Sequence, residues 1–411
     1  VSVRRCLIAR DLLTMVGPPA AALRGPVGDA AREEALVGLL HDGAICVEAG
    51  RVVWVGPAVA CPDGFGQPEL FDVLMPAWVE CHTHAIFAGS RAPDFARRNA
   101  GLGYAEILEA GGGISSTVRQ TREASDEALL SSLVARLDRF AAQGVGAIEV
   151  KTGYGLDYDE ELRHLRIIRE AARALPQLRI VATCLAAHVV PPEYRERRAD
   201  YVAMVCDRLL PEVARLGLAE QVDVFCDRGA FTVEESRTIL TRAKALGFAL
   251  RAHSEELAHT GGTLLAAELG ARSADHLEHA RAEDFEAMAE AGTAAVLLPL
   301  VTIHLDLPDR PKARQVIEAG VEVALSTDYN PGSANGDDLA LTASLGCSLL
   351  KLTPAEALRG VTRVPAEVLG LADHGRIEVG AAAKFVAFDL PCWSDLPWHM
   401  GAAPGRLPLL G

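Results

Sequence analysis

Residues 73–89 read VLMPAWVECHTHAIFAG, and the fold turns on how they are read. The first seven are mostly apolar, so 73–79 is expected to be a strand. Two histidines one residue apart follow it. On extended backbone, positions i and i+2 face the same side, about 7 Å apart along the chain. His82 and His84 can therefore converge on one ion, although such a pair alone is common by chance.

Working outward, β-favouring apolar runs alternate with helical stretches. Strands are expected at 145–150, 180–186, 222–226, 248–252, 272–276, 293–298 and 321–326. Between them, Leu130, Leu133, Leu137 and Phe140 recur at helical spacing, as do Leu162, Leu165, Ile168 and Leu175. Eight strands alternating with helices imply a parallel sheet and an α/β protein. A (β/α)8 TIM barrel is the leading architecture, and an open doubly wound sheet competes with it. Outside this middle, 43–56 and 375–389 each look like two short strands around a glycine-containing turn.

Bulk properties narrow the partners. A formal charge of −15 argues against nucleic acid or an anionic membrane surface, since either calls for a basic face. It leaves a small anionic substrate open, because one arginine can decide that locally. Residues 1–17 lack the apolar core of a signal peptide, broken as they are by Arg4, Arg5, Arg10 and Asp11. The nine cysteines stand singly, without a C-x-x-C pair, and suit reduced thiols in a cytoplasmic protein. Residues 85–126 are expected to form a long first loop, in which the glycines of GGGISSTVRQTR (111–122) can cradle an anion, yet no phosphate-loop pattern accompanies them.

Three further polar groups sit at or just past expected strand ends: His253 in RAHSEE, His276 in SADHLEH and Asp328 in STDYNP. Barrels of this kind place their active sites on that rim. His82, His84, His253 and Asp328 offer three imidazoles and a carboxylate, a donor set suited to Zn²⁺ or Fe²⁺ with room for water. Glu256, three residues after His253, can pass a proton to a leaving nitrogen. Its neighbour Glu255 reads as a solvated glutamate at a helix start, and His279 as a residue of the outer helix. His276 is close enough to contact a nucleophile or a substrate oxygen, and Asp328 can help take a proton from water.

The segments HTHAIFAGSR, GLGYAEILEAGGGISSTVRQTR, KTGYGLD, AAHVVPPEYR, VFCDRGAF, SADHLEH, STDYNPGS and LALTASLGCSLLKLTPAEAL together resemble the imidazolonepropionases of the amidohydrolase superfamily. The likeness runs from about residue 73 to beyond 360. It implies a barrel (73–370) with a small β-sandwich built from both chain ends (1–72 and 371–411). It also implies one divalent metal ion per chain, zinc or iron, on His82, His84, His253 and Asp328. Lys151 follows the second strand, so it is not expected to bridge two metals. The implied activity is hydrolysis of the cyclic amide 4-imidazolone-5-propanoate to N-formimidoyl-L-glutamate, a step of histidine degradation. The implied substrate-binding residues are Arg91, Tyr154, His188, Asn330, Gly332 and Ser333, suited to a small molecule with a carboxylate tail. Relatives suggest a homodimer. The chain departs from the family pattern at 299–308, PLVTIHLDLP, which lacks the usual aromatic pair, and at Ala77, Glu80, Lys384 and Phe385. A deaminase of aminated rings on the same scaffold, or a hydrolase of another carboxylated cyclic amide, is the nearest alternative. A non-catalytic binding protein is the alternative of another class.

Overall fold

The structure, a computed structural model, describes residues 4–23, 26–401 and 403–410. Residues 1–3 of the leader reading lie outside them. Fourteen strands are described: β1 Arg4–Leu13, β2 Leu39–Glu48, β3 Arg51–Pro57, β4 Glu69–Pro76, β5 Trp78–Glu80, β6 Val145–Lys151, β7 Arg179–Ala187, β8 Gln221–Cys226, β9 Ala249–Ser254, β10 Ser273–His276, β11 Ala294–Leu297, β12 Val323–Leu325, β13 Phe385–Phe388 and β14 Leu407–Leu409.

Strands β5 to β12 hydrogen-bond in sequence order, each parallel to the next. The two ends of that order meet. Thr83 bridges Tyr329 in parallel, His84 N–H donates to Tyr329 O at 2.9 Å, and Cys81 N–H donates to Ser326 Oγ at 3.1 Å. This closes the (β/α)8 barrel and removes the open-sheet alternative. Consecutive parallel strands need long crossovers, which helices supply. Helix Asp126–Ala142 buries Leu133, Leu137 and Phe140 against the barrel, while Leu130 is only half-buried. Helix Tyr158–Ala174 buries Leu162, Leu165 and Ile168.

The remaining strands form one six-stranded sheet drawn from both chain ends, in the order β14-β13-β4-β1-β2-β3. All its pairs are antiparallel except β1 with β4. The run 73–79 is therefore not one strand. Residues 73–76 end β4 in this sheet, and only Trp78–Glu80 open the barrel. The turn at Ala49–Gly50 joins β2 to β3 as the expected hairpin, but 375–389 contributes a single strand, β13, paired with β4 and β14.

Much of 85–126 is helical, in Ala92–Asn99, Tyr104–Glu109 and Ile114–Glu123. The anion its glycines cradle is internal: Gly113 N–H donates to Asp94 Oδ2 at 3.0 Å. A Cβ on Gly112 would fall 2.4 Å from Asp94 Oδ1, so Gly112 makes room for this contact. Among the described residues, no helix is long and apolar enough to cross a membrane.

Candidate active site

A cavity of about 490 Å³ opens at the C-terminal ends of the barrel strands. It is lined by His84, His253, His276, Glu256 and Asp328, together with Arg91, Tyr154, His188, Asn330, Gly332 and Ser333. His82 lies beneath it, fully buried. The structure thus brings together every metal-ligand, catalytic and substrate-binding candidate expected from the sequence. His253 stands within β9 rather than past it.

At the floor, His82 Nε2 and His84 Nε2 lie 3.4 and 3.3 Å from Asp328 Oδ1. His84 Nε2 faces His253 Nε2 at 3.4 Å. His276 also comes within ligand range of His82 and His253, their nitrogens falling within 4.8 Å of one another. Buried polar atoms ordinarily find partners, yet His82 Nε2 and Asp328 Oδ1 have no hydrogen bond. A cation between them would satisfy both. Burial, with Lys151 and neighbouring imidazoles, holds His82 and His84 well below the usual imidazole range, so both stay neutral, as metal ligation requires. Burial also pushes the Asp328 carboxyl above its usual range, a cost that a cation against Oδ1 removes. The residues present fit a divalent ion.

The ligand atoms are aimed from behind. Asp275 Oδ2 accepts from His82 Nδ1–H at 2.6 Å, which leaves Nε2 with its lone pair toward the site. Arg251, fully buried, holds Asp275 and Glu149 and reaches the Cys81 carbonyl. Lys151, the last residue of β6, has its ammonium 2.7 Å from both Glu149 and Asp223. Asp223 Oδ2 in turn lies 3.1 Å from His253 Nδ1. Asp328 Oδ2 takes Asn330 Nδ2–H at 2.9 Å and Ser333 Oγ–H at 3.3 Å, so only Oδ1 is left for an ion. Glu80 accepts from His82 N–H and Thr327 N–H at 2.9 and 3.1 Å. It ties the His-x-His segment to the exit of β12. Backbone strain concentrates here too: His276, Leu277 and Asp328 have φ of 82°, 71° and 52°, a pattern typical of functional sites.

The wall carries the rest. Glu256 Oε2 is 3.6 Å from His276 Nε2. Burial, then the Asp328 and Asp227 charges, push its carboxyl up to about 8. His276 and His188 are pressed down to about 3, chiefly by burial. His188 Nδ1–H donates to Gly153 O at 3.0 Å, leaving its Nε2 as an acceptor. The loop bearing Tyr154 is pinned by Glu161, whose Oε1 accepts the N–H groups of Gly153, Gly155 and Leu156. Arg91 pairs with Asp94, which Arg97 also contacts at 3.1 Å. Arg98, also on the cavity wall, donates to His304 O at 3.4 Å. A Cβ at Gly332 would lie 3.3 Å from Arg91 Nη1, so the glycine clears that approach. Asn330 lines the cavity, but Oδ1 takes Gly332 N–H and Ser333 N–H and its amide goes to Asp328 and Ser333.

Two sequence expectations are corrected. Glu255 is not solvated: it is fully buried, and it accepts the N–H groups of Gly261, Gly262 and Thr263 at the start of helix Gly262–Leu269. His279 lies in the turn before helix Ala282–Ala291, its N–H donated to Glu255 O. In 299–308, Leu305 and Leu307 form cavity wall, whereas His304 packs on Phe95 with ring centroids 5.1 Å apart. Sequence reasoning missed Arg98, Phe225, Asp275 and Arg251. Only a charged residue inside an apolar strand marked the last two.

Residues 73–406 match the Amidohydrolase family. An imidazolonepropionase of Myxococcus xanthus (strain DK1622) is 45% identical over 367 residues, 88% of this chain and 87% of its own. One from Paracoccus denitrificans (strain Pd 1222) is 41% identical over 91% of this chain and 94% of its own. Among solved structures, A. niger ochratoxinase aligns with a TM-score of 0.69 at 16% identity, over 98% of this chain and 93% of its own. A mutant atrazine chlorohydrolase from Arthrobacter aurescens TC1, complexed with zinc and atraton, aligns at 0.68 and 17% identity, over 95% of this chain and 91% of its own. The two structures share the fold.

Proposed function

Because this chain belongs to the imidazolonepropionase family of the amidohydrolases, we propose that it hydrolyses the ring amide of 4-imidazolone-5-propanoate to N-formimidoyl-L-glutamate. The observation that carries this reading is the company of Arg91 and Arg98 with the His/Asp floor in one cavity: a cationic wall suits a substrate with a carboxylate tail. Arg91 offers a planar fork for that tail.

A divalent ion belongs to the site. We assign it to His82, His84, His253 and Asp328, one ion per chain, zinc or iron. When bound, such an ion supplies Lewis acidity that makes water a competent nucleophile near neutral pH.

The chain's own groups do the rest. The Asp328 carboxylate takes the proton of the attacking water as the water oxygen bonds to the ring carbonyl carbon. His276, kept neutral, donates a hydrogen bond to the developing oxyanion. Glu256, protonated at neutrality, gives its proton to the ring nitrogen as the C–N bond breaks. His188 Nε2 accepts a ring N–H, and Tyr154 closes the wall beside it. Asn330 and Ser333 fix Asp328. We read the working unit as a homodimer acting on a small molecule, with neither nucleic acid nor membrane as partner.

The test is product analysis on freshly generated 4-imidazolone-5-propanoate. Formimidoylglutamate without ammonia supports ring opening. Release of ammonia, from this substrate or preferentially from an aminated ring, supports a deaminase instead.

A further inference from the structure

A second cluster of metal-type donors lies outside the barrel. Cys6 on β1 and Cys46 on β2 are direct partners in the antiparallel ladder. Their side chains leave the same face of the end-built sheet, and both are buried. Cys61 follows the turn Ala58–Ala60 after β3 and is half-buried. Its Sγ lies 3.2 Å from Cys6 Sγ and 3.4 Å from Cys46 Sγ, and all three sulfurs fall within 4.8 Å of one another.

The geometry points to a second metal site: Cys6, Cys46 and Cys61 bind a thiophilic d¹⁰ cation of the Zn²⁺/Cd²⁺ class, with solvent at a fourth position. Sulfurs ligating one such ion at about 2.3 Å stand roughly 3.7–4.0 Å apart. The triad therefore has to open by only a few tenths of an ångström. Cys61 can supply that movement, since it stands outside the sheet, and its partial exposure provides the entry path. Thiol–thiol contacts are weak hydrogen bonds, and a disulfide would join two of the sulfurs and strand the third. The active-site donor set contains no sulfur, and a thiolate signal lost when Cys46 or Cys61 is replaced belongs to this triad.

The experiment titrates reduced, zinc-loaded enzyme with Cd²⁺ under anaerobic conditions, beside Cys61→Ser and Cys46→Ser variants. The wild type is expected to develop a sulfur-to-cadmium charge-transfer band and to reach two bound ions per chain by elemental analysis. Both variants lose the band and keep one ion, and Cys61→Ser retains wild-type hydrolysis before titration. A wild type that never exceeds one ion per chain overturns the proposal, as does a band that survives in either variant.

Discussion

Asp275 acts on His82 across 193 residues of sequence, its carboxylate 2.6 Å from Nδ1. It fixes which nitrogen faces the ion. Replacing it by Asn removes the charge that makes His82 a better donor, so Asp275→Asn should weaken metal affinity by about 10–100-fold, read by competition with a chelator. Glu256 is the opposite case, a residue needed for proton delivery and not for binding the ion. Glu256→Gln should retain full metal content and lose roughly 10²–10⁴-fold in turnover. Metal loss together with activity would instead make Glu256 a ligand. His82, His84, His253 and Asp328 were legible in the sequence because strand ends and i, i+2 spacing are local features. Asp275, Asp223 and Arg251 were not, because each meets its partner only when different strands close into the barrel.

Whether an element exists was easier to read than which sheet it joins. Residues 73–79 form one apolar run, yet Pro76 and Ala77 lie where β4 leaves the end-built sheet and β5 begins the barrel. Periodicity carries no mark of that change of partner. The segment 85–126 looked like a loop because short amphipathic helices broken by glycine leave little periodic signal. The Tyr154 loop depends on one distant side chain, since Glu161 receives three of its backbone N–H groups. Glu161→Ala would leave those buried donors unpaired. It should cost about 1–3 kcal/mol of stability, measured by urea unfolding, and should raise KM through the displaced Tyr154. An unchanged unfolding midpoint would mean that the loop holds itself.

At the scale of the whole molecule, the eight-strand count was visible from alternation and the participation of both chain ends from the family resemblance, but alternation did not show closure. It depends on contacts such as Thr83 with Tyr329, 246 residues apart. Stability should also depend on pH through buried neutral histidine. His164, on helix Tyr158–Ala174, has no hydrogen bond at either ring nitrogen and is held down to about 3 by burial. Below about pH 6.5 the unfolded chain takes up a proton that the folded chain refuses, so stability falls with pH between about 6.5 and 3. From pH 7 to 5 this group contributes a loss of about 2 kcal/mol. His164→Leu should flatten the acid limb of the urea midpoint by that amount, and an identical limb would show that His164 titrates normally.

Ring hydrolysis is proposed to depend on a single divalent ion held by His82, His84, His253 and Asp328. The direct measurement strips the protein of metal, restores Zn²⁺ or Fe²⁺ in fractional equivalents, and follows loss of the ultraviolet absorbance of 4-imidazolone-5-propanoate. The rate should start near zero, rise linearly to one equivalent at the barrel site and then stay flat, with His253→Ala silent throughout. Undiminished hydrolysis by the metal-free chain would contradict it, as would a rate that keeps rising after the barrel site holds one equivalent.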